Sequence, residues 1–476
     1  MVCHSMQLYR AIAKSVTGRL SIYIVQFASL AIYARLFTPE QFGIIASIQV
    51  FVIFFQMLAD VGIGPAIINE ENFSSEKRDG IFSVTAVIGC ILSIVFFFFS
   101  YALNYFYGGY EYQDIAFFVC IAIFFNSLNI VPITAMNKDA KFIHIAIVDI
   151  LVECISLALV YALFTNGYGL LSLAARPAVQ GFTRFTFIWI ISINTQIGRP
   201  YFGIELHHIK SILSFSLYQF GFNFINYFSR NLDNILVAKY FGMVSVGMYD
   251  KAYQLMRYPL MVTTFAMTPA IQPVLTKYRN DKSKVIKEHN LLTSRLLALS
   301  LPISVFIYIN CNSVILFLFG SQWLAIEPLV KIFTFIIPVQ AVLSTTGSFF
   351  QVMNKPRLLF ISGFVSAILN IAAIVVGVYI GEVEYLALGL VFAYCVNFFQ
   401  AYFILFKFCF KNSPINFYLY LFKGILVVLP PIGFYILFNS FLVDLDLSSF
   451  LDLFINFIVG SFLMLAFFNP MRKVLS

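Results

Sequence analysis

The stretch ARLFTPEQFG at 34–43 returns 204 residues later as AKYFGMVSVG at 238–247. Arg35 faces Lys239, Phe37 faces Phe241 and Gly43 faces Gly247. At the same offset Pro65-Ala66-Ile67 recurs as Pro269-Ala270-Ile271, with no gap needed between the matches. An ungapped repeat of this kind predicts a chain built twice on one plan.

The residues around the repeat say what the plan is. Of 476 residues, 61% are hydrophobic and only 11% charged, where a soluble chain carries roughly 25% charge. Mean hydropathy is +0.89. A soluble helical domain of this composition would have little polar surface to offer water. Runs such as SIVFFFFSYAL at 93–103 do not alternate as barrel strands do. A backbone in lipid must satisfy its own hydrogen bonds, and a helix does so. The expected fold is therefore an all-α polytopic membrane protein.

Apolar segments fall at about 18–37, 43–68, 81–106, 112–135, 142–164, 167–192, 211–238, 243–276, 291–318, 325–352, 357–380, 384–408, 417–438 and 447–468. Each is long enough to cross a bilayer. That makes about fourteen transmembrane helices, or twelve if the last pair is not counted. With the N-terminus cytoplasmic, the C-terminus is cytoplasmic too. Twenty of the thirty Lys and Arg then fall on the cytoplasmic side, and only Arg35 and Lys239 on the other. The opposite loops carry Glu111, Asp114, Glu382, Glu384, Asp444 and Asp446. This is the positive-inside pattern, so the net charge of +8 reports topology and not nucleic-acid binding. The first segment follows Arg10, Lys14 and Arg19 without a small-residue cleavage signal, and is expected to be a retained span.

Six spans separate the two copies of the repeat. An even number gives both copies the same orientation, as in parallel repeats about an axis along the membrane normal. The expected organisation is an N-terminal lobe at 1–205, a second lobe at 206–411 and an appended helix pair at 412–476. The segment 193–210 would link the lobes.

Polar residues inside the spans mark candidate sites. Gln219, Asn223, Asn226, Arg230 and Asp233 are spaced 4, 3, 4 and 3 apart, which puts them on one helical face. A charge facing lipid costs at least roughly 2.5–3.5 kcal/mol near the bilayer centre, so that face should meet a cavity or another helix. Arg230 and Asp233 can pair at i,i+3. Asp250, Gln254 and Arg257 share a face of the next span, with Lys251 beside them and Pro259, Pro269 and Pro273 following. In the first half, Gln49, Gln56 and Asp60 form one stripe, Asp149, Glu153 and Ser156 a second, and Arg176, Gln180 and Thr183 a third, with Arg184 adjacent. Two readings fit these residues. The arginines, with Lys251, Gln219, Asn223, Asn226, Asp233 and Gln254, would line a wet cavity for an anionic substrate, since guanidinium grips phosphate with two parallel hydrogen bonds. Asp60, Asp149 and Glu153 would carry protons or a cation. Alternatively the charges fasten helices together, with Asp149 and Glu153 bridged to Arg176 or Arg184.

No Walker motif, dinucleotide fingerprint or nucleophile elbow is present, so the chain is not expected to be an enzyme. The seven cysteines stand apart, without a metal-ligand spacing, and no metal, cofactor or disulfide framework is expected. The loops are too short for a nucleotide-binding domain. Transport would draw on an ion gradient (H+ or Na+), the membrane potential or the substrate's own gradient.

IVQFASLAIYARLFTPEQFG, DVGIGPAII and FSLYQFGFNFINYFSRNLDNILVAKYFGMVSVGMYDKAYQLMRYPL, in that order, resemble the bacterial polysaccharide-export flippases. The branch is that of the lipopolysaccharide, colanic acid and teichuronic acid exporters of the multidrug/oligosaccharidyl-lipid/polysaccharide (MOP) superfamily. The resemblance covers roughly residues 10–410. It implies two six-helix lobes around a central cavity, with two further C-terminal helices. It also implies movement of an undecaprenyl-diphosphate-linked oligosaccharide from the cytoplasmic to the periplasmic leaflet of the inner membrane, among membrane lipids and the polymerase and export machinery. A drug exporter or lipid II flippase would share the fold. A membrane glycan polymerase would need a sizeable periplasmic loop.

Overall fold

A computed structural model of the chain describes residues 20–60, 63–70, 73–110, 112–204, 210–265, 271–272, 275–443 and 449–467. Every regular element among them is helical. The chain divides into two compact units, Met1–Gly247 and Met248–Ser476. The first holds α1 (Leu20–Leu36), α2 (Pro39–Asp60), α3 (Ile63–Asn69), α4 (Ser75–Tyr107), α5 (Gln113–Leu128), α6 (Ile130–Lys138), α7 (Phe142–Thr165), α8 (Leu170–Ile191) and most of α9 (Lys210–Leu260). The second holds α10 (Lys282–Ile309), α11 (Cys311–Leu318), α12 (Glu327–Thr334), α13 (Ile336–Leu343), α14 (Thr346–Val352), α15 (Pro356–Ile380), α16 (Val383–Ile404), α17 (Pro414–Val443) and α18 (Ser449–Ala466).

Seven described helices are long and apolar enough to cross a membrane, and nine spans result if two bent helix pairs each count as one. The protein is thus an all-α polytopic membrane protein. α8 and α9 fall outside that count; they carry Arg176 and Arg184, and the long polar stripe.

The quoted repeat breaks its helices at matched positions. α1 ends at Leu36 and α2 starts at Pro39. Thr38 caps α2, its hydroxyl accepting from Gln41 N–H at 3.3 Å while Gln41 Oε1 accepts from Thr38 N–H at 3.0 Å. This reciprocal box, with proline at the first helical position, is a strong start signal. At the equivalent point of the second copy α9 is broken by Gly242, whose φ of 87° and ψ of 174° suit glycine. The sequence separates 211–238 from 243–276, and a single residue carries that break. The expected span at 43–68 is likewise split, into α2 and α3.

The two breaks meet. A Cβ on Gly43 would stand 1.7 Å from the Met243 carbonyl oxygen, and one on Gly247 would stand 2.0 Å from the Pro39 carbonyl oxygen. Pro39 and Met243 are themselves equivalent at the offset of 204. Each copy's glycine therefore takes the other copy's backbone, the reciprocal pattern of a two-fold contact. Small residues let membrane helices approach this closely. Tyr112 closes the site, its hydroxyl 2.7 Å from Ser47 Oγ and 3.8 Å from Met243 Sδ. Lys239 donates to the Phe106 carbonyl and lies over the Phe106 ring.

A second pair of breaks matches as well. α5 and α6 bend by 41° at Asn129, and the helical stretch Ser321–Thr334 bends by 48° from Ile336–Val352. Pro132 and Pro338 lie three residues past these bends, within IVPI and IIPV. A proline lacks the N–H that would reach the carbonyl four residues back and crowds that carbonyl. Those carbonyls belong to Leu128 and Thr334, the last residues before each bend.

α4 is capped by Ser74, which accepts from Lys77 N–H, and the segment 197–203 lies on its first turns. There Arg78 donates to the Ile197 carbonyl at 2.8 Å, Tyr201 N–H to Asp79 at 2.9 Å and Gly203 N–H to Ser83 Oγ at 2.8 Å. In the second unit α10 is capped by Asp281, whose carboxyl is held below its usual range by the Ser283 hydroxyl and the Lys284 N–H. The final helices are tied to α10 and α11, with Asn310 donating to the Tyr435 hydroxyl at 2.6 Å and Ser313 to Asp452 at 3.4 Å.

Gly43→Ala and Gly247→Ala should each lower thermal stability in detergent by an amount in the overpacking range of about 1–3 kcal/mol or beyond. Gly363→Ala, where a Cβ meets nothing within 4 Å, should leave the melting temperature unchanged or raise it slightly. Equal melting for all three variants would contradict the backbone contact.

Candidate functional site

α7 and α8 pack together and place their stripes face to face. Glu153 is 3% exposed and accepts from two residues of α8. Arg176 Nη2 donates to Oε1 at 2.9 Å, and Gln180 Nε2 donates to Oε2 at 2.8 Å and to Ser156 Oγ at 3.3 Å. Nearer the start of α7, Arg184 grips Asp149 with two bonds of 2.8 and 3.3 Å. The ladder 153–176 and 149–184 rises in one helix as it falls in the other, as antiparallel neighbours require. Four-residue steps on both helices keep the pairs on one seam. The Arg176 guanidinium also lies 4.6 Å from the ring centroid of Tyr33, on α1. That is a cation–π contact in a dry setting. Arg176 Nε is buried with no hydrogen-bond partner among the described residues. Thr183 turns away and bonds Val179 O on its own helix.

The sequence left two readings of these charges open, and the pairing realises the helix-fastening one for Asp149 and Glu153.

Asp60 stands apart. It lies half-buried in the last turn of α2 and accepts from Gly64 N–H at 3.3 Å. Asp60 has no ion pair among the described residues.

On α9, the side chains of Gln219, Asn223 and Asn226 lie outside the described residues, as do Pro269 and Pro273. Asp233 is buried and Arg230 is exposed. No i,i+3 ion pair between the two is seen among the described residues, although they lie on neighbouring positions of one helical face. Arg230 forms no ion pair among the described residues.

In the second unit Lys251 is buried against its own helix. Its ammonium is 3.0 Å from Asp250 Oδ2 and 3.3 Å from Gln254 Oε1, and Gln254 Nε2 returns a 2.7 Å bond to Asp250. The three side chains are joined by mutual hydrogen bonds. Arg257, one turn on, is exposed and outside it. Pro259 follows, and a π-helical turn spans Met261–Phe265. Among the described residues no group of three or more His, Cys, Asp or Glu is placed to hold a metal.

Sequence reasoning missed Tyr33. Nothing separates it from the other 25 tyrosines, because its role depends on α8 lying beside α1. The matched prolines at 132 and 338 carried a readable signal, since IVPI and IIPV stand 206 residues apart.

An apolar helical chain, broken at matched points and holding charged seams between its helices, has the architecture of a membrane transporter. The same fold is seen in a solved structure of the lipid II flippase MurJ in an inward closed conformation, with a TM-score of 0.77, 16% identity, and 96% of this chain and 98% of that one covered. The pattern of the polysaccharide biosynthesis protein family matches residues 32–328, and the chain belongs to this family. It is 24% identical over 435 residues to an uncharacterised membrane protein in the cps region of Klebsiella pneumoniae, covering 88% of this chain and 86% of that one. It is 23% identical over 347 residues to the teichuronic acid biosynthesis protein TuaB of Bacillus subtilis strain 168, covering 71% of this chain and 70% of TuaB.

Glu153→Gln strands the Arg176 charge and should cost about 3 kcal/mol, as when one partner of a buried pair is removed. Glu153→Gln with Arg176→Gln should recover much of the loss. Asp149→Asn should cost under about 1 kcal/mol, because Arg184 is 37% exposed. Thermal melts of the three variants in detergent test the order; equal losses for Glu153→Gln and Asp149→Asn would overturn it.

Proposed function

We propose that the chain is a flippase for an undecaprenyl-diphosphate-linked oligosaccharide, carrying it from the cytoplasmic to the periplasmic leaflet of the bacterial inner membrane. The reading has fourteen spans with both termini cytoplasmic. Lobes at 1–205 and 206–411 surround a central cavity, and the pair at 412–476 follows. Helix breaks that recur at 38 and 242, and bends that recur at 129 and 335, support two like-oriented lobes.

One observation carries the substrate class. Arg230 and Arg257 are exposed on α9 without an ion pair among the described residues. Such a cation is costly against lipid and favourable against water or an anion. The carrier's diphosphate is that anion, and planar guanidinium suits it. Arg176, whose side chain is 27% exposed, is a third contact. Arg184, Lys251, Asp233, Gln254, Gln219, Asn223 and Asn226 complete the polar lining. TuaB is named for teichuronic acid and MurJ for lipid II; both names concern envelope glycans or their lipid carriers, which agrees with this class.

Coupling to H+ or Na+ is assigned first to Asp60. Asp149 and Glu153 are already neutralised by arginine, whereas Asp60 is half-buried with only a backbone donor. An ion arriving there meets a carboxylate not yet compensated.

The test is transbilayer movement of undecaprenyl-diphosphate glycan in proteoliposomes, with and without an imposed ion gradient. Arg230→Ala should change stability by within about 0.5 kcal/mol, as surface substitutions do, while movement falls at least about tenfold, the loss of roughly one charge-assisted contact. Asp60→Asn should remove the dependence on the gradient and leave residual movement. Unchanged movement in Arg230→Ala would reject its role. Absence of movement by the native chain, with export of a small organic cation instead, would assign the chain to the drug-exporting branch.

A further inference from the structure

A cavity of about 550 Å³ in the second unit lies apart from all these charges. It opens between the first turns of α10, residues 410–412 and the start of α17. Ser283, Lys287 and Asn290 form one wall, and Lys411, Asn412 and Tyr420 the other. Lys287, Asn290, Lys411, Asn412 and Tyr420 carry hydrogen-bond donors, Ser283 gives its own to Asp281 at 2.7 Å, and no carboxylate lines the cavity. Neither Lys287 nor Lys411 has an ion-pair partner among the described residues.

Lys411 is notable in its backbone as well. Its φ of 57° and ψ of 43° are left-handed, and its N–H closes the preceding helix on Phe406 O. Glycine or asparagine normally fills that position. Here a cation occupies it, beside the cavity.

The surroundings place the cavity at a membrane boundary. Lys282, Lys284 and Lys287 make its rim basic, on the side that the loop charges mark as cytoplasmic. Immediately beside it Phe408, Ile415 and Leu419 are more than half exposed. Cationic donors next to bare apolar surface match an anionic headgroup with its acyl chains alongside.

We propose that this cavity binds a phosphate group through Lys287 and Lys411. The phosphate comes either from the headgroup of an anionic phospholipid or from free phosphate. The site is independent of the transported substrate proposed above.

The experiment uses the full chain in detergent, titrated with phosphatidylglycerol and followed by native mass spectrometry. The test variant joins Lys287→Gln to Lys411→Gly; glycine relieves the left-handed backbone, so the fold should be kept. Lys407→Gln is the control, since it removes an exposed neighbouring cation that does not line the cavity. Phosphatidylglycerol should bind about tenfold or more weakly to the double variant, and equally well to the control. Millimolar inorganic phosphate that displaces the lipid from native protein would identify a site for phosphate itself. Failure to displace, with the double variant still defective, would identify the lipid headgroup. Undiminished binding by a folded double variant, or an equal loss in Lys407→Gln, would overturn the proposal.

Discussion

The contact on which the first unit turns has no side chain in it. Gly43 against Met243, and Gly247 against Pro39, bring two backbones closer than any Cβ would permit. In lipid there is no hydrophobic force to draw helices together, so association relies on dispersion and shape. Backbones in direct contact gain the most from both. The arrangement is reciprocal, so one residue type at one repeat position sets both halves of the contact. Around it the chain adds a capping box at Thr38, a left-handed break at Gly242 and the buried Tyr112 hydroxyl.

The charged residues obey a second constraint. Charges within apolar helices must be neutralised, hydrated or used. The α7–α8 seam and the Asp250–Lys251–Gln254 network follow the first route, each acid meeting a base within 3.0 Å. Arg230, Arg257 and Asp60 do not. That division separates charges already paired from charges with no ion pair among the described residues. Stripe position alone cannot make it, since Asp149 and Asp60 look alike in sequence.

Much of the fold was legible because lipid imposes simple rules. Apolar length marked the chain as a polytopic all-α membrane protein, and the repeat at 204 marked positions where helices break. The prolines of IVPI and IIPV were equally legible and mark the bends at 129 and 335. Other features lay beyond sequence. Pairing of Arg176 with Glu153 rather than Asp149 depends on the offset between two helices. Stacking of Arg176 on Tyr33 depends on a third helix. Exposure of Arg230 beside the buried Asp233 depends on which side of α9 is covered. Such facts belong to packing, and a helical period leaves them undetermined.

The helix α4 acts as a ruler. Its 33 residues, at 1.5 Å each, reach about 50 Å, against roughly 30 Å of hydrocarbon. Tilted by 40° it would still measure about 38 Å from end to end along the normal. Part of it must therefore stand outside the hydrocarbon, in the polar headgroup region or beyond. Its first turns bear Arg78, Asp79 and Ser83, to which the non-helical segment 197–203 is bound. That segment has carbonyls and amides which lipid could not satisfy. By overshooting the hydrocarbon, α4 gives the irregular chain a polar shelf, and the connection leading towards α9 starts from a fixed height above the hydrocarbon.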